Sequence, residues 1–185
     1  MKNLFKLTMI LVSICSAVNT NAQTASTLHA TAGARIIVPM TLTGQNSLNF
    51  GTTNKRSGVS GSVVLSTTDA SRDYNGGVSS SVIGDPASNA VFNVSGAHNS
   101  SYSITLPTTI IVVEPGSMTM TINELKLRFS SATTDIAIYE GNNSISKVLN
   151  GKGNDSFKLG GKLNLGPEQA AGLYSGTYSV TVDYN

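Results

Sequence analysis

The sequence predicts an all-β protein built as a sandwich of antiparallel sheets. Three observations carry that expectation. First, small polar residues stand where charge is usual. Ser, Thr, Asn and Gly make up 80 of the 185 residues, and charged residues only 12%, about half the share in an average soluble domain. Second, apolar residues recur at every second position, the period of a strand with one face buried. Third, Gly-, Pro- and Asn-rich turns separate these runs at short intervals. A coiled coil or helical bundle needs Ala, Glu, Lys, Leu and Arg in bulk and is excluded. Charge-driven disorder does not fit an apolar content of 39% with a net charge of +2.

Residues 1–22 have the pattern of a secretory signal peptide. Lys2 and Lys6 supply the positive start and Leu7–Cys15 the apolar middle. Asn19-Thr20-Asn21-Ala22 supplies the small-residue cleavage site. The apolar run is shorter than the roughly 20 residues that span a bilayer, so no membrane insertion is expected after cleavage. Cys15 is the only cysteine, so cleavage after Ala22 leaves a chain held by its core and its hydrogen-bond ladders alone. Export is therefore expected, to the periplasm, the medium or the cell surface. Losing two lysines leaves ten basic against ten acidic residues, with no basic cluster beyond Lys55-Arg56. That gives no electrostatic basis for binding nucleic acid.

Residues 23–185 suit a single domain. Leu28, Ala30, Ala32, Ala34 and Ile36 occupy even positions, with His29, Thr31, Gly33 and Arg35 between them. Val63-Val64-Leu65, Val91-Phe92-Val94 and Ile104–Leu106 are short strand candidates. Met118, Met120 and Ile122 alternate with polar residues, and Leu125, Leu127 and Phe129 do so after a shift of one near Asn123-Glu124. That shift marks a bulge in one long strand or a break between two. Phe157, Leu159, Leu163 and Leu165 flank Gly160-Gly161. Tyr178, Val180, Val182 and Tyr184 form the cleanest row, with Ser179, Thr181 and Asp183 facing the other way. Turns are expected at 43–46, 74–77, 84–86, 114–116, 140–143 and 150–153, and a single helical turn at 167–172.

Three segments closely resemble one family when taken together. They are Ala34–Thr41 followed by Ser47-Leu48-Asn49-Phe50-Gly51, then Lys158–Leu165, then Gln169–Tyr184. Their order and wording resemble the secreted bacterial family known as domain of unknown function 4402. More distantly, the layout is similar to chaperone–usher pilin subunits, especially the spore-coat-U-like ones. The resemblance implies an immunoglobulin-like, pilin-like sandwich and assembly into a surface fibre, with a periplasmic chaperone and usher as partners beside copies of the chain itself. Pro39 stands about where such pilins carry a cysteine, so the bridge they form there is not available to this chain.

A fibre subunit of that kind lends an N-terminal strand to its neighbour, and 23–36 has the required pattern. The row Leu28, Ala30, Ala32, Ala34 and Ile36 would enter a narrow groove, contributing on the order of 3–6 kcal/mol at about 25 cal/mol per Å², before the entropy cost of ordering it. The acceptor candidate is the row Tyr178, Val180, Val182 and Tyr184. Alternation equally suits 28–43 as the first strand of a self-contained sandwich. The functional expectation is an exported structural or adhesive surface subunit that assembles by strand exchange. The alternative is a self-contained secreted module binding carbohydrate or a surface protein.

Catalytic signals are weak, and no enzyme is expected. His29 and His98 stand alone, no Gly-x-Ser-x-Gly elbow is present, and no His/Cys pair has zinc-ligand spacing. Asp69, Asp73 and Asn75 lack the offsets of a calcium loop. No cofactor and no metal are expected.

Overall fold

A computed structural model describes residues 27–116 and 118–185. The expected signal segment 1–22, with Cys15, lies outside the described residues. The chain divides into two compact units, 1–36 and 37–185. In the first, residues 27–36 form no strand or helix, and every one of them is exposed.

The second unit is all-β, with no helix among the described residues. Its strands are β1 (Thr41–Asn46), β2 (Thr53–Lys55), β3 (Gly61–Leu65), β4 (Arg72–Gly76), β5 (Val78–Ser80), β6 (Ala90–Ser95) and β7 (Ser101–Thr105). They continue with β8 (Ile110–Val113), β9 (Thr119–Phe129), β10 (Ile136–Ala137), β11 (Ser144–Val148), β12 (Asn154–Leu165) and β13 (Thr181–Tyr184). All pairings are antiparallel, and the strands form a β-sandwich. The main sheet is organised on β12 and β9, the two longest strands. One edge of β12 is shared: β6 pairs with Asn154–Leu159 and β3 with Gly161–Leu165. The handover falls at Gly160-Gly161, where a Cβ on Gly160 would sit 2.5 Å from the Leu65 carbonyl oxygen. The other edge of β12 pairs with β9, which carries β8 and β10 beyond it. β1 joins β6, and β4 joins β3. The second sheet is β11–β7–β13, and β2 and β5 form a small ribbon.

The expected shift near Asn123-Glu124 is a bulge within one strand. Lys126 pairs with Gly160 and Asn123 with Lys162, so Glu124 and Leu125 together oppose Gly161. Glu124 takes a left-handed φ of 47°, and its carboxylate meets Lys162 Nζ at 2.8 Å. The bulge turns Leu125, Leu127 and Phe129 back to the core face that Met120 and Ile122 occupy further along.

Between the sheets Phe157 is fully buried, stacked on Phe92 at 5.1 Å and edge-on to Phe129 at 6.2 Å. Tyr102 and Ile104 of β7 face it from the second sheet. A polar clip joins the layers: Tyr102 Oη donates to Asp155 at 2.9 Å, and Lys147 Nζ lies 3.1 Å from the same carboxylate and over the Phe129 ring. Burial first, then the Asp155 hydrogen bond and charge, hold the Tyr102 phenol well above its ordinary pKa.

Three local expectations are corrected. Residues 74–76 are strand, paired with β3, and only Gly77 of the expected turn 74–77 lies outside a strand. Residues 43–46 are strand, not turn. They pair with β6, and the irregularity that Gly44-Gln45-Asn46 suggested is a slip in register. Residues 167–172 form no helical turn; they make a β-turn closed by Gln169 N–H on Gly166 O.

Candidate functional site

The C-terminal row keeps its alternation but loses half its strand. Tyr178, Val180, Val182 and Tyr184 are half-buried and packed on the core, while Ser179, Thr181 and Asp183 are exposed. Only Thr181–Tyr184 form strand, paired with β7. Ser175 exchanges two backbone hydrogen bonds with Val113 at the edge of the main sheet. Between these anchors, no backbone hydrogen bond joins residues 176–180 to the other described residues of the 37–185 unit. The segment crosses from one sheet to the other with no backbone partner among the described residues. Tyr178 and Val180 are half-buried here, while Gly176, Thr177 and Ser179 are exposed.

The facing wall is β1 and the residues after it. β1 pairs with β6 along one edge, and its other edge is open within the unit. Leu42, Leu48 and Phe92 are only half-buried here, whereas Val63 and Leu65 of β3 are no more than 1% exposed. These residues, with Gly176, Tyr178 and Val180, line a recess of about 500 Å³. It continues past Leu48 into a recess of about 250 Å³ floored by Met120, Ile122, Leu163 and Leu165. That one shares Met120, Leu165 and Tyr174 with a third of about 510 Å³. Together they make a long groove with an apolar floor and two open backbone edges. Burial alone pushes the Tyr178 phenol up to about 12, since no charge assists it.

Hydrogen bonds tie the chain near both ends of the groove, and beside the third recess Gly58 N–H and Lys55 Nζ both donate to Pro167 O. Tyr184 Oη donates to Val38 O at 2.7 Å and accepts the Ala97 N–H at 2.6 Å. Leu173, which lines the middle recess, stands 78% exposed.

A family profile described as "Domain of unknown function (DUF4402)" matches residues 40–184. The chain belongs to the DUF4402 family. The match spans β1 to β13, so the groove lies within the DUF4402 domain, and the row from Leu28 to Ile36 precedes it. Comparison with curated proteins and with solved structures finds no match. The more distant likeness to pilins is carried by the sequence pattern alone.

The acceptor row is thus brought to one wall of the DUF4402 groove. The donor row, Leu28, Ala30, Ala32, Ala34 and Ile36, lies in the other unit, where it forms no strand. Leu42, Leu48, Phe92 and Tyr174 were not read as groove residues, although Phe92 stood in a strand candidate and Leu48 and Tyr174 in the family segments. A signal was present: Met40, Leu42, Leu48 and Phe50 continue the even-numbered row, but the turn residues at 43–46 interrupt it. His98 is exposed, its Nδ1 3.4 Å from Asn99 Nδ2. The Asp69 carboxylate accepts the Ser71 N–H, and hydrogen bonds to Ser71 hold its pKa below the ordinary value.

Proposed function

We propose that this protein is an exported structural subunit of the cell surface that assembles by accepting an extended strand of a second copy in the groove beside residues 176–180. The observation that carries the reading is the stretch 176–180, which has no backbone partner among the described residues and lines a recess with the half-buried Leu42, Leu48 and Phe92. A strand laid there supplies both missing partners at once: backbone groups for the open edges and alternate side chains for the floor. The segment 28–36 suits the role, since its small even-numbered side chains fit a narrow cleft and it forms no strand where it stands. The leader pattern of 1–22 provides the route out of the cell, and a chaperone and usher would keep the groove covered until assembly.

The test is assembly of purified mature protein. On unheated SDS gels it should run as a ladder, and a chain lacking 23–35 should not extend. A truncated chain that is monomeric, and that neither binds nor is stabilised by a peptide of residues 24–36, would overturn the reading.

The alternative, a self-contained carbohydrate-binding module, draws on a polar recess of about 630 Å³ lined by Thr41, Thr43, Asn93, Ser95, Asn154 and Ser156. No aromatic ring lines it, and stacking on sugar faces wants one. Glycan binding by a monomer would favour this alternative.

A further inference from the structure

Residues 27–39 are exposed throughout and form no strand or helix. Arg35 is the only lysine or arginine between positions 23 and 54, and the first unit ends one residue after it, at Ile36. Ala32-Gly33-Ala34 precede it, and a Cβ on Gly33 would meet nothing within 4 Å. Exposed segments of small residues without regular structure are where proteases cut, because the enzyme must hold its substrate as an extended strand. The cations of the 37–185 unit lack this setting. Among them only Arg56 and Lys152 lie outside strands. Arg56 N–H bonds Gly77 O, and the Arg56 carbonyl accepts Lys55 Nζ. Lys152 sits in a closed turn, where its N–H and that of Asn154 both bond Asn150 Oδ1.

We propose that the Arg35–Ile36 bond is a processing site for an arginine-directed endoprotease, and that the cut turns a copy that lends its arm into one that only accepts; this role rests on the strand-accepting reading above. The partner is defined by its chemistry: a specificity pocket ending in a carboxylate, which takes the guanidinium through paired, charge-assisted hydrogen bonds. Water adds to the Arg35 carbonyl carbon, the bond to the Ile36 nitrogen breaks, and a proton passes to the new amine. One product carries Leu28, Ala30, Ala32 and Ala34. The other begins at Ile36 and keeps the groove, together with Val38, whose carbonyl Tyr184 holds. It still accepts an arm and has none to pass on, so it ends a fibre. An arm already laid in a neighbour is shielded. Its apolar row includes Ile36, so the bond between 35 and 36 then lies inside a hydrogen-bonded strand. The cut therefore falls on free arms.

The experiment treats purified mature protein with limiting trypsin and reads intact mass and N-terminal sequence. The first cut should fall after Arg35 and leave a resistant product beginning at Ile36. R35Q should slow that product at least about tenfold, and R35K should keep it, since trypsin takes either cation. Assembled protein should be cut at least about tenfold more slowly than the monomeric fraction, because cleavage then waits on opening of the strand. Cut monomer should form no ladder alone and should shorten the ladder when mixed with intact monomer. Chains recovered from the surface of the cells that make them should include some beginning at Ile36; their absence would overturn the processing. A first cut at Arg56 or Lys152, or equal cutting of wild type and R35Q, would overturn this inference alone. Cut monomer that extends as well as intact protein would overturn the lending of 28–36, and with it the role given to the cut, while leaving the site in place.

Discussion

Tyr184 Oη donates to the carbonyl oxygen of Val38 across 2.7 Å, joining positions 146 residues apart in the chain. The same oxygen accepts the Ala97 N–H, so one phenol holds the last strand to the stretch before β1 and to the loop after β6. Y184F removes both bonds and leaves the ring in place. Each bond to a neutral partner contributes about 0.5–1.5 kcal/mol net. The variant should therefore lose about 1–3 kcal/mol in urea unfolding, with the urea dependence of the unfolding free energy unchanged.

Phe157 is the centre of the core, fully buried between Phe92 and Phe129. Replacing it with Ala removes the ring from both contacts and leaves a cavity in close-packed surroundings. The expected loss is about 3–5 kcal/mol, a large share of the stability of a domain this size. Thermal unfolding followed by circular dichroism should show a midpoint many degrees lower; an unchanged midpoint would mean this centre is not the core.

Much of the sandwich was legible in the sequence because a strand with one buried face writes its period directly into the residue order. Phe157, Leu159, Leu163 and Leu165 lie on β12 as read, and the slip at Asn123-Glu124 announced a true bulge. The misreading at 43–46 has a physical cause: Gly and Asn serve a bulge as readily as a turn, and only pairing with β6 decides between them. The groove was half legible. Its acceptor row shows as alternation, but alternation does not reveal which backbone groups find partners. That 176–180 finds no backbone partner among the described residues depends on where β7 and β8 end, which no local pattern records.

Tyr178 titrates late because its half-buried ring lies against the groove wall, and burial raises its pKa from the ordinary 10 to about 12. The folded value lies above the unfolded one, so the linked stability is present in full below pH 10. It is lost as the pH rises through 12. Tyr102 is raised as well and adds in the same sense. Unfolding by urea should therefore become easier across pH 10–12. Y178F should flatten part of that slope, and a peptide of residues 24–36 should delay the absorbance change of Tyr178 ionisation by covering it. An absorbance change centred at pH 10 would show the ring to be solvated.

Ala30 offers the cleanest separation of folding from assembly. It lies in residues 27–36, outside the 37–185 unit whose core holds the sandwich together. A30D changes nothing in that core, so the unfolding midpoint of the monomer should move by no more than about 0.5 kcal/mol, the ordinary range for a surface change. In a strand laid along the groove, however, the carboxylate would be driven against the apolar floor without a partner. Burying an unpaired charge costs several kcal/mol, comparable to all that the arm's small side chains supply. A30D should therefore abolish the ladder on unheated gels, while A30S, similar in volume and uncharged, should keep most of it. The odd-numbered neighbour T31D places its charge on the opposite face of the strand and should assemble nearly as wild type. Equal loss in A30D and T31D would mean that the arm does not enter the groove as an alternating strand, whatever else joins the copies.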